Sequence, residues 1–210
     1  MKAIKPVYVV IFLIIIYAVG FVGLSMSAYR EMFQDLTPVN LLLSAVLLFL
    51  FHQTYNIKHI LAFLIVFTGG YLVEVAGVQT GIIFGNYHYG DSLGLKIMNT
   101  PVIIGINWLM LIYMTYSITE KMQLKPFAQV VLAAFMMVAY DLLLEPVAVQ
   151  LDFWNWGGIG IPLQNYLAWW IISAVFITIW RVMKIKAANT VASGLFIIQF
   201  IFFLTLNFSL

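Results

Sequence analysis

Seven apolar stretches run along the chain, separated by polar or aromatic segments. They cover residues 7–25, 39–53, 60–77, 102–119, 127–144, 167–181 (or on to 183) and 191–210. A helix needs about 20 apolar residues to cross a bilayer's hydrocarbon, so each stretch is read as a transmembrane helix. The second is the weakest. Its mainly apolar run, 39–51, is short, and His52, Gln53 and Asn56 follow it. A tilted full span and a re-entrant segment both fit that length. The first stretch follows Lys2 and Lys5, as a signal peptide would. It is longer than a typical signal core, so it is read as a retained helix.

Charge in the connecting segments then orients the bundle. With seven spans and the N-terminus inside, the inner segments carry Lys2, Lys5, Lys58, Lys121, Lys125, Arg181, Lys184 and Lys186, and the outer ones Arg30 and Lys96. Eight inner basic residues against two outer ones satisfy the positive-inside rule. Removing the second span would spoil this alternation, which favours a full crossing. The expectation is an all-α polytopic membrane bundle of about seven helices, N-terminus in and C-terminus out. Residues 1–210 read as one integral membrane domain, with no boundary, low-complexity run or strong repeat. The two longest connections, 78–101 and 145–166, both fall outside. They are rich in Gly and aromatics and read as structured and partly buried. A faint echo links residues 84–89 with 153–157. Two halves of one site, or chance in an aromatic-rich chain, explain it equally.

Composition narrows the class further. Hydrophobic residues make up 64% and charged residues 9%, against roughly 25% charged in a soluble domain. Net charge is only +2, basic tracts are absent and there is no Cys. A nucleic-acid binder, a disordered tail, a disulfide scaffold and thiolate chemistry are excluded.

In so apolar a chain the polar exceptions carry the chemistry. An ionised side chain in hydrocarbon costs at least about 2.5–3.5 kcal/mol. Glu74, Asp141 and Glu145 stand out. Glu74 lies about one turn before the outer end of the third span. Asp141 and Glu145, near the outer end of the fifth, share a helical face about 6 Å apart along the axis. Asn107 and Trp108 from the fourth span, and Gln164 and Asn165 at the start of the sixth, meet them at the same level, under both aromatic connections. Each piece has a plainer reading. Glu145 precedes Pro146 and suits a surface position. Tyr87, Tyr89, Trp154 and Trp156 suit an interfacial aromatic belt. The convergence is what argues for a site. Burial disfavours the charged form of a carboxyl, and an acid kept neutral can serve as a general acid.

Other chemistries lack their parts. His52 and His59 fall on the inner side and His88 on the outer, so the three cannot form a di-iron centre. No phosphate loop or dinucleotide fingerprint occurs. The last span has no Lys for a retinal Schiff base.

Two blocks carry a resemblance. The first is Glu74-x-x-Gly77-x-x-Thr80-Gly81, Phe84-Gly85-x-Tyr87-x-Tyr89, Leu93-Gly94, Pro101 and Trp108. The second is Asp141-x-x-x-Glu145-Pro146, Trp154-x-Trp156, Gly160-Ile161-Pro162, Asn165 and Trp169. Together, over about residues 70–172, they resemble the membrane carotenoid biosynthesis proteins, which include the carotenoid 1,2-hydratases. Glu145-Pro146 departs from the usual Asp-Pro, Tyr166 fills the usual aromatic place after the Asn, and Ala168 stands where Gly is common. These departures bear on the substrate more than on the reaction class.

The resemblance implies addition of water to the terminal double bond of an acyclic carotenoid ψ end. Protonation of the less substituted carbon gives a tertiary cation, and water captures it. No cofactor and no metal is implied. Asp141 is expected as the acid, Glu74 as the group that positions or activates water, and Glu145 as a relay. Phe84, Tyr87, Tyr89, Trp108, Trp154, Trp156 and Trp169 would shape the substrate pocket, with Asn107 and Asn165 holding water or carboxyl groups. The implied partners are a lipophilic carotenoid, water, membrane lipid and other carotenoid-pathway enzymes, and not nucleic acid. The implied location is a bacterial or archaeal cell membrane. A lycopene-type cyclase would use the same protonation. A proton-coupled transporter or carotenoid-binding protein would need polar positions running on to the inner leaflet, where the spans read as nearly featureless.

Overall fold

Lipid offers the backbone no hydrogen-bond partners, so long apolar runs in it close their own bonds as helices. The computed structural model, which describes residues 5–210, has this form. Lys2 lies outside the described residues. The helices are α1 (Pro6–Ser25), α2 (Arg30–Asp35), α3 (Thr37–Leu50), α4 (Ile57–Thr80), α5 (Ile103–Lys121), α6 (Pro126–Gln150), α7 (Leu163–Val182) and α8 (Thr190–Ser209). Among the described residues six are long and apolar enough to cross a membrane, with α2 and α3 counted as one span, Arg30–Leu50.

The seventh long helix, α5, is the least apolar because it faces no lipid. It packs against α3, α4, α6, α7 and α8, and Met110 to Met114 are fully buried. A helix with protein on every side can carry Asn107, Thr115, Ser117 and Thr119. The outer helices do the reverse and turn Phe12, Ile15 and Val19 of α1 outward.

Three expectations are revised. The second span starts earlier, at Arg30, and stops at Leu50 rather than at 53. Pro38, at the start of α3, cannot donate a backbone hydrogen bond, and this divides α2 from α3. His52 leaves the helix and is buried against Tyr113, with Nδ1 2.9 Å from its hydroxyl. The fifth span does not end at 144; α6 runs through Pro146 to Gln150. Pro146 takes the helical donor from the Leu142 carbonyl, and Asn207 of α8 donates to the adjacent Leu143 carbonyl; support from neighbouring helices lets a membrane helix tolerate a proline. Glu145 is consequently buried, not interfacial.

The far ends of the spans are not featureless either. Asn189 caps α8 by accepting from the Val191 and Ala192 N–H groups, and donates to the Leu48 carbonyl and the Tyr113 hydroxyl. These uncharged groups join α3, α5 and α8, as interhelical hydrogen bonds do in membranes.

The helices run up and down, so the connections sort to two ends. Lys58, Lys121, Lys125, Lys184 and Lys186 gather at one, while Arg30 and Lys96 lie at the other, with the long aromatic connections. There the structure adds two small antiparallel ladders. β1 (Tyr87–Tyr89) pairs with β4 (Trp154–Trp156), and β2 (Lys96–Ile97) pairs with β3 (Thr100–Pro101). Met98 and Asn99 turn the second with φ of 51° and 61°, the left-handed pair of a tight hairpin.

Candidate active site

Glu74 lies on the buried face of α4, with Gly70 one turn before it and Gly77 one turn after. A Cβ at Gly70 would come within 2.6 Å of the Trp108 Cβ, and one at Gly77 within 2.6 Å of the Phe84 ring and 2.9 Å of the Tyr87 hydroxyl. Both glycines therefore clear the space into which aromatic side chains reach Glu74. Gly81, left-handed at φ 67°, ends α4 and turns the chain back over it.

Three donors converge on the Glu74 carboxyl. Tyr87 and Tyr89 donate their hydroxyls to Oε2 at 2.6 and 2.7 Å, and Trp108 donates Nε1–H to Oε1 at 2.9 Å. Burial, then the neighbouring Glu74, push both phenols well above their ordinary range. Both stay protonated and available as donors. We expect Gly70→Ala to displace Trp108 and destabilise the protein by about 1–3 kcal/mol, as overpacking does. Thermal unfolding in detergent measures this; an unchanged midpoint would show that Trp108 yields without cost.

The second carboxyl group of the site is built on α6. Glu145 Oε2 accepts from Trp154 and Trp156 Nε1–H, each at 2.9 Å, and Oε1 accepts from Asn165 Nδ2 at 3.1 Å. The same Asn165 nitrogen donates to Asp141 Oδ2 at 2.7 Å. Asp141 Oδ1 is buried and has no hydrogen-bond partner among the described residues.

The ladder explains how one set of aromatics serves both carboxyls. Its register places Tyr87 opposite Trp156 and Tyr89 opposite Trp154. Side chains alternate along a strand, so these four share one face and turn toward the acids, while His88 and Asn155 share the other. The echo between the two connections is thus a pair of strands. Its signal was the aromatic-x-aromatic spacing, two positions being the period of a strand.

Among the described residues the ion pairs are Lys96–Asp91 and Lys186–Glu120, and neither includes a site carboxyl. The hydrogen-bond partners of the site carboxyls are therefore neutral donors, which can stabilise a charged group.

Between Glu74 and Glu145 is a cavity of about 20 Å³, enough for one water molecule. Asn107 and Asn165 line it as well, and Phe84, Tyr87, Tyr89, Trp154 and Trp156 form walls. Trp108 and Trp169, stacked with centroids 4.4 Å apart, close another side. Asp141 connects to it through Asn165. Gln164 points elsewhere, donating to the Ile82 and Ile83 carbonyls and tying down the first connection.

A second, largely apolar cavity of about 360 Å³ adjoins the first. Ile104, Asn107 and Trp154 line both. Its walls come from α1, α3, α5, α6 and α8, with Ile15, Leu41, Leu144 and Phe202 among them. Sequence reading missed Ile104 and this groove, because ordinary apolar residues from separate helices carry no mark of the space they enclose.

Comparison with known proteins agrees with the earlier resemblance and widens it. The carotenoid biosynthesis protein family matches residues 36–210, which include Glu74, Asp141, Glu145 and every residue around the smaller cavity. Bisanhydrobacterioruberin hydratase from Haloarcula japonica is 30% identical over 121 residues, covering 50% of this chain and 39% of that protein. The chain thus spans well under half of that relative's length. No solved structure matches it. On the extent of the family match, the chain belongs to the carotenoid biosynthesis protein family.

Proposed function

We propose that the protein is a carotenoid hydratase that adds water to the terminal double bond of an acyclic ψ end. One observation carries this reading. A water-sized cavity lies between two buried carboxyls, and it borders a largely apolar groove of about 360 Å³.

Glu74, bound by two phenols and an indole, acts as the ionised carboxylate. Asp141 and Glu145 are bridged by a single amide nitrogen and pair with no cation among the described residues, so they hold one proton between them. Two like charges so placed cannot both be accommodated cheaply in a low-dielectric site. Glu145 faces the cavity and delivers that proton. The alkene π pair forms the new C–H bond at the less substituted carbon, leaving a tertiary cation. Aromatic faces stabilise the cation without bonding to it. The oxygen of the cavity water bonds to the cation, and its proton passes to Glu74. A further water returns that proton to the Asp141–Glu145 pair. Asp141 is thus the proton reservoir behind Glu145, acting through Asn165 and not on the alkene itself.

The basic residues at the far end argue for an N-terminus-in orientation. In that orientation the site would lie in the outer leaflet, and we place the protein in a bacterial or archaeal cell membrane, where lipid-dissolved substrate would meet water.

Co-expression in a lycopene- or γ-carotene-producing host tests the reading by pigment mass. The expected product is one water heavier than its precursor, and Asp141→Asn should lose it while still inserting in the membrane. An isomer of unchanged mass would instead identify a cyclase. Unaltered pigment from well-expressed protein would reject both.

A further inference from the structure

The groove beside the acid site is closed at its two ends and open on one side. Toward the inner end its polar lining residues bond to one another. Tyr140 of α6 donates its hydroxyl to Gln199 Oε1 of α8 at 3.2 Å, and Gln199 Nε2 donates to the Tyr17 hydroxyl of α1 at 2.7 Å. That hydroxyl lies 3.1 Å from the Ser44 hydroxyl of α3 and adjoins Asn40 as well. Hydrogen bonds of this kind join membrane helices, and here they make a floor. At the outer end Phe33, Leu93, Leu151 and Phe153 make a roof. Gln34 of α2 donates to the Leu151 carbonyl at 2.7 Å. A Cβ at Gly23 would run into the Phe33 ring, so α2 is seated closely on α1 while tied to the end of α6.

The open side lies between α1 and α3. α1 packs on α2 and α8, and α3 packs on α5 and α8, but no comparable packing joins α1 to α3 among the described residues. Ile15 and Val19 of α1, with Leu36 and Val39 at the start of α3, line the groove and are also exposed on the outside of the bundle. Residues that belong to both surfaces mark a mouth, and these four are apolar, as a surface against lipid requires. The groove is also short. Its lining on α6 runs from Tyr140 to Leu151, about 16 Å of helix. That is about half of the ~30 Å hydrocarbon thickness.

We infer that the reacting end of the substrate enters sideways from the lipid, through the gap between α1 and α3, while the rest of the chain stays in the bilayer. The inference rests on the hydratase reading for the identity of its occupant. Ile104, Asn107 and Trp154 line the groove and the water-sized cavity alike, so an end that passes the mouth is led to the acids. A chain long enough to cross the bilayer does not fit within the groove. The protein therefore holds one end at a time, and a substrate with two reactive ends must leave and return for the second.

The chain has no Cys, so Val19→Cys/Val39→Cys carries one thiol on each side of the mouth and none elsewhere. Bismaleimides of stepped length join the two thiols in nanodiscs that hold one protein each. The same variant, unjoined and kept reduced, is the control. Tritiated lycopene is added before or after joining, and radioactivity retained by the protein is followed, less that of protein-free nanodiscs. Protein joined first is expected to take up lycopene about tenfold or more slowly than the control, the effect of a small added barrier. Protein joined after loading should release it more slowly by a similar factor. Uptake and release at the control rates in joined protein would overturn the inference, as would a wild type with no saturable lycopene binding. If no reagent joins the pair, Val19→Trp/Val39→Trp is compared with Ile14→Trp/Leu42→Trp, whose positions are exposed on the same helices outside the groove. Slowing is then required of the first pair and not of the second; equal rates would overturn the inference. Uptake needs no turnover. Slowed uptake without hydrated product from the wild type would count against the hydratase reading alone, and hydrated product at the control rate from joined protein against side entry alone.

Discussion

Glu145→Gln is expected to lower formation of hydrated carotenoid by about 10²–10⁴-fold, the usual contribution of a general acid. Gln keeps the shape of Glu145, and its oxygen can still accept from the indoles of Trp154 and Trp156, which bond to Glu145 Oε2 at 2.9 Å. What it lacks is a proton to give. Purified protein, substrate and product mass analysis measure the effect, with thermal unfolding as the check on integrity. Glu145→Asp should restore part of the activity, since it keeps the acid and shortens it by one methylene toward the Asp-Pro the family usually shows. Wild-type turnover by Glu145→Gln would remove Glu145 from the proton-donating role.

Glu74→Gln is expected to cost a similar factor of about 10²–10⁴ by a different route. The cation would still form, but no carboxylate would take the proton from the attacking water. The cation would then return to alkene by losing a proton. Deuterium exchange separates the two cases. In D₂O, recovered substrate should carry deuterium with Glu74→Gln and none with Glu145→Gln. Deuterium-free substrate from both variants would mean that Glu74 also takes part in the first step. The three hydrogen bonds to Glu74 come from Tyr87, Tyr89 and Trp108. The Gln amide oxygen can still accept from both phenols, while its NH2 cannot accept from the Trp108 indole, so the variant should fold at the cost of about one buried hydrogen bond.

The spans were legible in the sequence because length and apolarity alone decide whether a helix can cross a bilayer. The acids were legible for the converse reason, as Glu74, Asp141 and Glu145 are exceptions in a chain that avoids charge. Other features depend on packing. Pro146 reads as the end of a helix, yet α6 continues past it among supporting neighbours. Tyr87–Tyr89 and Trp154–Trp156 are only three residues each, too short for alternation to declare a strand. Tyr17, Asn40, Tyr140 and Gln199 are uncharged and lie on four different helices, so only the folded bundle reveals them as one patch. Asp141 was picked out by its charge, but its place behind Asn165 depends on a single hydrogen bond.

The β1–β4 ladder has a consequence for how the protein is made. As the chain emerges from the ribosome, Glu74 enters the membrane long before β4 and α7 are synthesised. Until then β1 has no partner strand, Asp141 and Glu145 lack Asn165, and Glu145 lacks both indoles. The nascent chain thus carries its acids without the full set of donors that holds them in place. Completion of the ladder, late in insertion, brings both carboxyl groups into register together, so a prematurely released chain would not yet contain an assembled proton-transfer site.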